Sequence, residues 1–278
     1  VRYEEQSAPE ELRPFVTRMW FLEAPRERRY EKILPLPFAH AIVNLSSPYR
    51  LIDPRGNASV VDEAFVSGIQ SEFLLIENPT LIRHVGVEFT PDGLRAFSST
   101  PPSEVAGRIL SASDVFGDIA DLIARVRAEP APDAALPALE SFLRAARRPD
   151  IGADRLVSTI LAAMQKHPDA RIGDLAAHAG VSHKTVITHF RAACGIAPKH
   201  FAEVLRFHRF IVGLPLGDDL PSWADLAAVS PYYDQPHVIR AFRRFSGYTP
   251  AEYLRRVAEF GPDAASFVPL EDVPGPPG

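Results

Sequence analysis

The chain of 278 residues is poor in sulfur and in long apolar runs, with one cysteine and two methionines. A lone Cys194 excludes an internal disulfide, and one thiol does not make a cysteine-rich zinc site. The longest apolar stretches, such as Ala39 to Val43 and Val204 to Leu214, are short or broken by polar residues. None approaches the ~20 residues that cross a bilayer, so no membrane partner is expected. Val1 to Glu11 is acidic and polar, unlike a signal peptide, which makes a reducing, cytoplasmic setting the expectation. Glycine-rich phosphate loops, GxGxxG and the GxSxG nucleophile motif are missing as well.

What is there suits a folded protein: 46% hydrophobic and 23% charged residues supply cores and a soluble surface. The length accommodates two domains. The net charge of −5 argues against a nucleic-acid partner only until it is divided. Residues 1–150 carry 17 Lys and Arg against 22 Asp and Glu, whereas residues 151–260 carry 13 against 10 and seven of the nine histidines. The end of the chain from 261 has three acids and no base. The molecule is therefore two unlike halves and a tail.

Short β-branched and aromatic runs between Pro14 and Glu88 predict a β-rich barrel or sandwich-like domain. The best strand candidates are 15–22, 41–45, 65–69, 73–76 and 81–89. Thr90-Pro-Asp-Gly-Leu94 predicts a helix start with Pro91 at its first position. Flanking helices are expected over 114–128 and 136–147, and the boundary at Arg147 to Asp150. From Ala153 the period becomes helical, with Leu156, Ile160 and Met164 on one stripe. Residues 261–278, with five prolines and three glycines in the last 18, are expected to be a disordered tail. The fold class expected is α+β multidomain: residues 1–150 as a regulatory, effector-binding or dimerisation domain, and 151–260 as an all-α domain.

The second half contains an internal repeat. Gly173-Asp-Leu-Ala-Ala177 recurs as Ala224-Asp-Leu-Ala-Ala228, Phe190-Arg191 as Phe242-Arg243, and Gly195-Ile-Ala-Pro198 as Gly247-Tyr-Thr-Pro250. The offset grows from 51 to 52 between the first and second helices, so one copy has an extra residue in its turn. Each copy reads as a helix-turn-helix, over 172–194 and 223–246, joined by a linker helix from Pro198 to Leu214. Gly180 suits a positive φ in the first turn, and Ser182 caps the helix that follows. Ser222 with Asp225 makes a capping-box pattern, Asp234 caps the last helix, and Pro236 falls in its first turn. Val186, Phe190 and Ala193, and then Val238 and Phe242, would face inward. That leaves His183, Lys184, Ile187, Thr188 and Arg191 outside in the first copy. In the second, Gln235, His237, Ile239, Arg240, Arg243 and Arg244 remain. Such side chains match double-stranded DNA: Arg reads guanine, Gln reads adenine, and Thr or Ile touches a thymine methyl.

Residues from about 155 to 256 resemble the DNA-binding domain of the AraC/XylS family of transcriptional regulators. The resemblance is carried by Tyr232-Tyr-Asp-Gln-Pro-His-Val-Ile-Arg-Ala-Phe-Arg-Arg-Phe-Ser-Gly-Tyr-Thr-Pro-Ala-Glu-Tyr253 and, in the first copy, by Ser182, Lys184, Phe190, Gly195, Pro198, Phe201 and Arg206. It implies base-reading positions at Lys184, Ile187 and Thr188, and at Gln235, Pro236, His237, Ile239 and Arg240, with Arg243 at the phosphates or on plain surface. Thr188 stands where the family usually has Arg, and Pro231 where it usually has Gly. The first half is similar to sensor-type domains of such regulators, through Gly86 to Phe97, Pro101-Pro102 and Asp114-Val-Phe-Gly117. The resemblance implies no catalysis and no cofactor. It allows a small-molecule effector, RNA polymerase and a second copy (a homodimer) as further partners. One alternative is a barrel metalloenzyme fused to a DNA-binding domain, with His40, His84 and Glu88 as ligands. Another is a basic face that docks an acidic protein. Phe190, Phe242, Trp223 and Leu226 are expected in the core, as is Cys194.

Overall fold

The computed structural model describes residues 1–52, 57–216, 221–260 and 267–270. Ten strands come first: β1 (Arg2–Ser7), β2 (Val16–Pro25), β3 (Tyr30–Ile33), β4 (His40–Asn44), β5 (Tyr49–Ile52), β6 (Ala58–Val61), β7 (Ala64–Ser67), β8 (Leu74–Glu77), β9 (Leu81–Phe89) and β10 (Ile109–Ser111). The short helix α1 (Pro102–Val105) precedes β10, and α2 (Ala112–Phe116), α3 (Ala120–Ala128) and α4 (Pro132–Ala146) follow it. The second half contains α5 (Arg155–Lys166), α6 (Ile172–His178), α7 (His183–Cys194), α8 (Pro198–Val212), α9 (Trp223–Val229), α10 (Gln235–Ser246) and α11 (Pro250–Phe260), then a last strand β11 (Phe267–Leu270). This is the expected α+β arrangement, a β-rich first part and a helical second part. Among the described residues, no helix is long and apolar enough to cross a membrane.

The strands form two antiparallel sheets, ordered β1-β2-β9-β4-β7-β10 and β11-β3-β8-β5-β6. Side chains alternate across a strand, so each central strand of the first sheet has two faces to bury. Met19, Phe21, Ala41, Val43, Ala64, Val66, Val85, Val87 and Phe89 line one face. They share a core with Leu122 and Val126 of α3 and with Leu136, Leu139 and Leu143 of α4. The other face turns to the second sheet, where Phe65 packs with Tyr49, Leu51, Val61 and Ile76, and Ile42 lies against that cluster. Helices, six-stranded sheet and five-stranded sheet are thus three layers.

The inner face is more polar than a plain core. Arg18, Glu88 and His40 lie in cross-strand register, as do Leu22, His84 and Asn44 two levels along. Arg18 pairs with Glu88 at 2.9 Å and with Glu5 at 2.8 Å. His84 accepts from Trp20 Nε1 at 3.1 Å and meets the Tyr49 hydroxyl at 3.2 Å through its other nitrogen. Trp20 is opposite Gly86, and its indole occupies the place a Cβ at 86 would need. That close approach explains a glycine in mid-strand, where it otherwise weakens pairing.

Several expectations are corrected here. Pro91 starts no regular helix: the chain turns there, and only a single 3-10 turn forms at Leu94–Ala96. Gly93 sits too close to the Phe15 carbonyl for any side chain, which holds that segment against the sheet. The helix expected over 114–128 is two, α2 and α3, separated at Gly117 with φ +81°. Part of the expected disordered tail is ordered: residues 267–270 pair with β3 as β11. The remainder of 261–278 lies outside the described residues. Trp223, expected in the core, is 43% exposed, because it stands at the first position of α9 before the helix reaches the core.

Burial pushes His40 down to about 4, and burial with the nearby His40 pushes His84 down to about 4. Both are neutral when folded but would bind protons near pH 6.5 when unfolded, so stability falls as pH drops from about 6.5 towards 4. Burial raises Glu31, Glu88 and Asp92, and these carboxyls act in the opposite sense. Replacing both histidines by Gln isolates their share: the melting temperature should fall less steeply over that window than in the unaltered chain. Equal slopes would show that the two rings titrate as they do in the unfolded state.

Candidate nucleic-acid interface

The two helix pairs in the second half obey one set of local rules. In the first pair, α6 ends at a turn where Gly180 takes φ +68°. Ser182 then accepts from the Thr185 amide at 3.1 Å and caps α7. In the second pair, Ser222 and Asp225 form the reciprocal capping box of α9. Asp234 caps α10, accepting from the His237 amide at 2.9 Å. Each cap satisfies donors that a helix leaves open at its start, typically stabilising by ~1 kcal/mol. The His237 amide and ring hold the Asp234 carboxyl below its usual range. Both helices end on left-handed glycines, Gly195 at φ +77° and Gly247 at φ +71°.

The second turn lacks the glycine device. Ser230 is extended, Pro231 follows, and no residue of that turn has positive φ. The extra residue spreads the reversal over 230–233, which explains how Pro231 is accommodated where Gly180 serves the first copy. Tyr232 turns inward against Phe210, with ring centroids 5.8 Å apart. Tyr233 is left 96% exposed, one position before the Asp234 cap. No pattern in the sequence had singled it out; its place in the lengthened turn was the available signal.

Behind the exposed faces are two cores. Val186, Phe190 and Ala193 pack with Val157, Ile160, Leu175 and Phe201. Val238, Phe242 and Phe245 pack with Phe207, Phe210, Leu226 and Tyr253. Phe190 meets Phe201 at 5.3 Å between centroids, and Phe242 meets Tyr253 at 5.2 Å. The linker helix α8 serves both cores, through Phe201 and Leu205 on one side and Val204, Phe207, Phe210 and Ile211 on the other. Val212, the last residue of α8, joins neither core and is 67% exposed. Arg206 donates to the Pro168 carbonyl at 2.9 Å, a structural contact.

Lys184 and Thr188 of α7 are exposed, with Ile187 partly covered beside them. On α10, Gln235, Pro236, His237, Arg240 and Arg243 are exposed, and Ile239 is partly covered. The two sets thus lie at matching places on two equivalently built helices. The side chains of Lys184, Arg240 and Arg243 form no hydrogen bond or ion pair among the described residues, although Asp234 and Glu252 feel the charges of Arg240 and Arg243. Arg244 differs, since it is held by Glu203 at 2.7 Å and lies over Phe245. His189 is likewise occupied, by Asp154 at 3.1 Å.

The other candidate set, His40, His84 and Glu88, shares one face of the six-stranded sheet, but its members are engaged elsewhere. Both His84 nitrogens face Trp20 and Tyr49, and Glu88 is tied to Arg18. Among the described residues no group of three or more His, Cys, Asp or Glu side chains is placed to hold a metal ion. Cys194 is buried, and burial raises its thiol well above the usual range, which suits packing rather than reactivity.

Residues 4–111 match a family model described as a domain of unknown function (DUF6597), and residues 175–256 match one described as a helix-turn-helix domain. No curated protein matches the sequence. Among solved structures, ToxT from Vibrio cholerae is similar at a TM-score of 0.50 and 10% identity, over 92% of this chain and 98% of that one. A structure of unsaturated fatty acid bound wild-type ToxT from Vibrio cholerae strain SCE256 gives a TM-score of 0.47 at 10% identity, over 84% and 94%. At such identities the likeness is one of fold. The chain thus carries an AraC-type helix-turn-helix domain at its C-terminal end, behind an N-terminal domain of a family whose function is unknown.

Proposed function

We propose that the protein is a sequence-specific DNA-binding transcription regulator that reads two major-groove segments with α7 and α10. The observation that carries this is the matched pair of capped helices whose exposed faces hold the side chains of Lys184, Arg240 and Arg243 free of hydrogen bonds and ion pairs among the described residues. A face of unpaired cations and short polar side chains is what a helix in the groove needs. Lys184, Ile187 and Thr188 would read bases from α7, and Gln235, Pro236, His237, Ile239 and Arg240 from α10. Arg243, nearer the helix end, would hold phosphate. Thr188 would contact a thymine methyl rather than a guanine, so the first segment is read with less charge.

The first half would regulate. A small effector, or a second copy, bound there would bias the two reading helices through the seam between the halves, by ~1–3 kcal/mol for a coupling of ordinary size.

The direct test is binding of the full chain to its own upstream DNA and to random duplex across a salt titration. Specific recognition predicts a preference of ~10³-fold or more and a steep loss with salt. Equal, weak binding to both, with every candidate effector tried, would overturn the reading. Within a specific complex, Arg240→Ala should cost ~1–3 kcal/mol on the specific site and little on random DNA. Arg243→Ala should instead weaken both about equally and reduce the salt slope by about one. If Arg240→Ala behaves as Arg243→Ala does, Arg240 is a phosphate contact.

A further inference from the structure

The second helix-turn-helix unit is attached to the first half at a place distant from the linker helix. After α11, the chain reappears as β11 on the edge of the five-stranded sheet, antiparallel to β3. Val268 is opposite Lys32, and Leu270 is opposite Tyr30. Val268 is fully buried in the core of the second unit, with Leu254 and Val257 of α11, and Leu34 of the first half joins the same core. Leu270, two residues along on the same face, packs with Ile52 and Leu75 of the sheet. One short strand is therefore fastened into both halves.

Lys32 adds a contact to the reading helix itself. It is buried on β3, and its Nζ donates to the Ser246 carbonyl at 2.8 Å, at the last residue of α10. The ammonium also lies 3.7 Å from the centre of the Tyr248 ring and 4.2 Å from that of Phe73. A cation at the carbonyl end of a helix is favourably placed against the helix dipole. Here the cation belongs to the other half of the molecule. The fit leaves no slack: a Cβ at Gly247 would stand 2.9 Å from Phe73 and 3.1 Å from Lys32 Nζ.

The first unit is gripped in the same manner. Gly195 ends α7 as Gly247 ends α10, and a side chain there would collide with the Pro102 carbonyl of α1. Ile69 of the first half is part of that unit's core. Both reading helices thus rest their C-terminal ends on the first half and keep their N-terminal faces exposed.

We propose that β11 and Lys32 are positioning elements for α10: they hold its C-terminal end on the five-stranded sheet, so the first half sets the separation of the two reading helices and hence the spacing of the DNA segments they fit. The proposal rests on the reading of α7 and α10 as DNA-reading helices. A linker helix shared by two cores fixes distance along its own axis but leaves a unit free to rock on one helical face. A second, distant attachment removes that freedom.

The test uses the full chain with spin labels on Arg125→Cys of α3 and Glu259→Cys of α11, both exposed, while Cys194 remains buried. The unaltered background should give one narrow distance distribution. Leu270→Asp, which breaks the strand attachment away from the second unit's own core, should broaden it. Lys32→Glu, which sets a carboxylate against the Ser246 carbonyl, should do the same, and Lys32→Arg should leave it narrow. Unfolding of one variant, seen in its thermal melt, leaves the other to decide. In parallel, selection from a pool of random duplexes should return two short motifs at a single spacing for the unaltered chain. Leu270→Asp should keep the motifs and lose the single spacing. An unchanged distribution in the folded variants, or a retained single spacing, overturns the proposal. If the unaltered chain selects no motif, the DNA reading has failed, and the label distances still judge the positioning on their own.

Discussion

Everything in the second half depends on one requirement: a short helix must bury one side firmly enough to present the other side unsatisfied. A twelve-residue helix such as α7 or α10 is marginal by itself in water. Its exposed face can hold unpaired charge only if the remaining face, the start and the stop supply the stability. Val186, Phe190 and Ala193 do this for α7, and Val238, Phe242 and Phe245 for α10. Ser182 and Asp234 fix where each helix begins, and left-handed glycines fix where each stops. Cap, stripe and stop recur in both copies, whereas the outer residues differ. The copies share what folding demands and differ in what would be read.

The same requirement explains the use made of α8. Two small units of this size have little apolar surface each, and neither closes a core without a helix between them. By contributing opposite sides to the two cores, α8 supplies both. That arrangement couples the units, since a shift of α8 is felt in each. The first half meets this coupled pair at several places, among them Pro102 against Gly195, Phe38 against His208 of α8, and Lys32 against Ser246.

How far all this could be read from the sequence follows from how local each cause is. Caps, turn glycines and the i, i+4 stripes are local, and the repeat doubles their signal, so the helix pairs and their exposed faces were legible. The long central strands β2 and β9 were also legible, as β-branched and aromatic runs. Among strands of four residues, β7 and β8 show as apolar runs, whereas β3 and β5 are broken by Glu31, Lys32 and Arg50 and do not. β11 was hidden for another reason: a proline-rich segment becomes a strand only because the edge of β3 offers it a partner. Trp223 was misplaced by treating an apolar side chain on a helix as a buried one, although it stands at a helix end where the core stops. Tyr233 was invisible because exposure is decided by the path of a lengthened turn.

Charge is where sequence totals mislead most. A chain of net charge −5 would be repelled by DNA if its charges were all equally available. In the first half they are not: Arg18, Arg29, Arg50, Arg83, Arg127, Arg144 and Arg148 are each held by a carboxylate. Exposed pairs of this kind add little stability, but they cancel each other's field beyond about a Debye length of ~10 Å at 0.1 M salt. In the second half, Lys184, Arg191, Arg240 and Arg243 have no such partner among the described residues. The cations left without an ion pair thus include those on the faces of α7 and α10, with Asp234 beside them at the start of α10. An approaching polyanion responds to the nearest unpaired charges before the total, so an acidic protein can still present a basic reading surface.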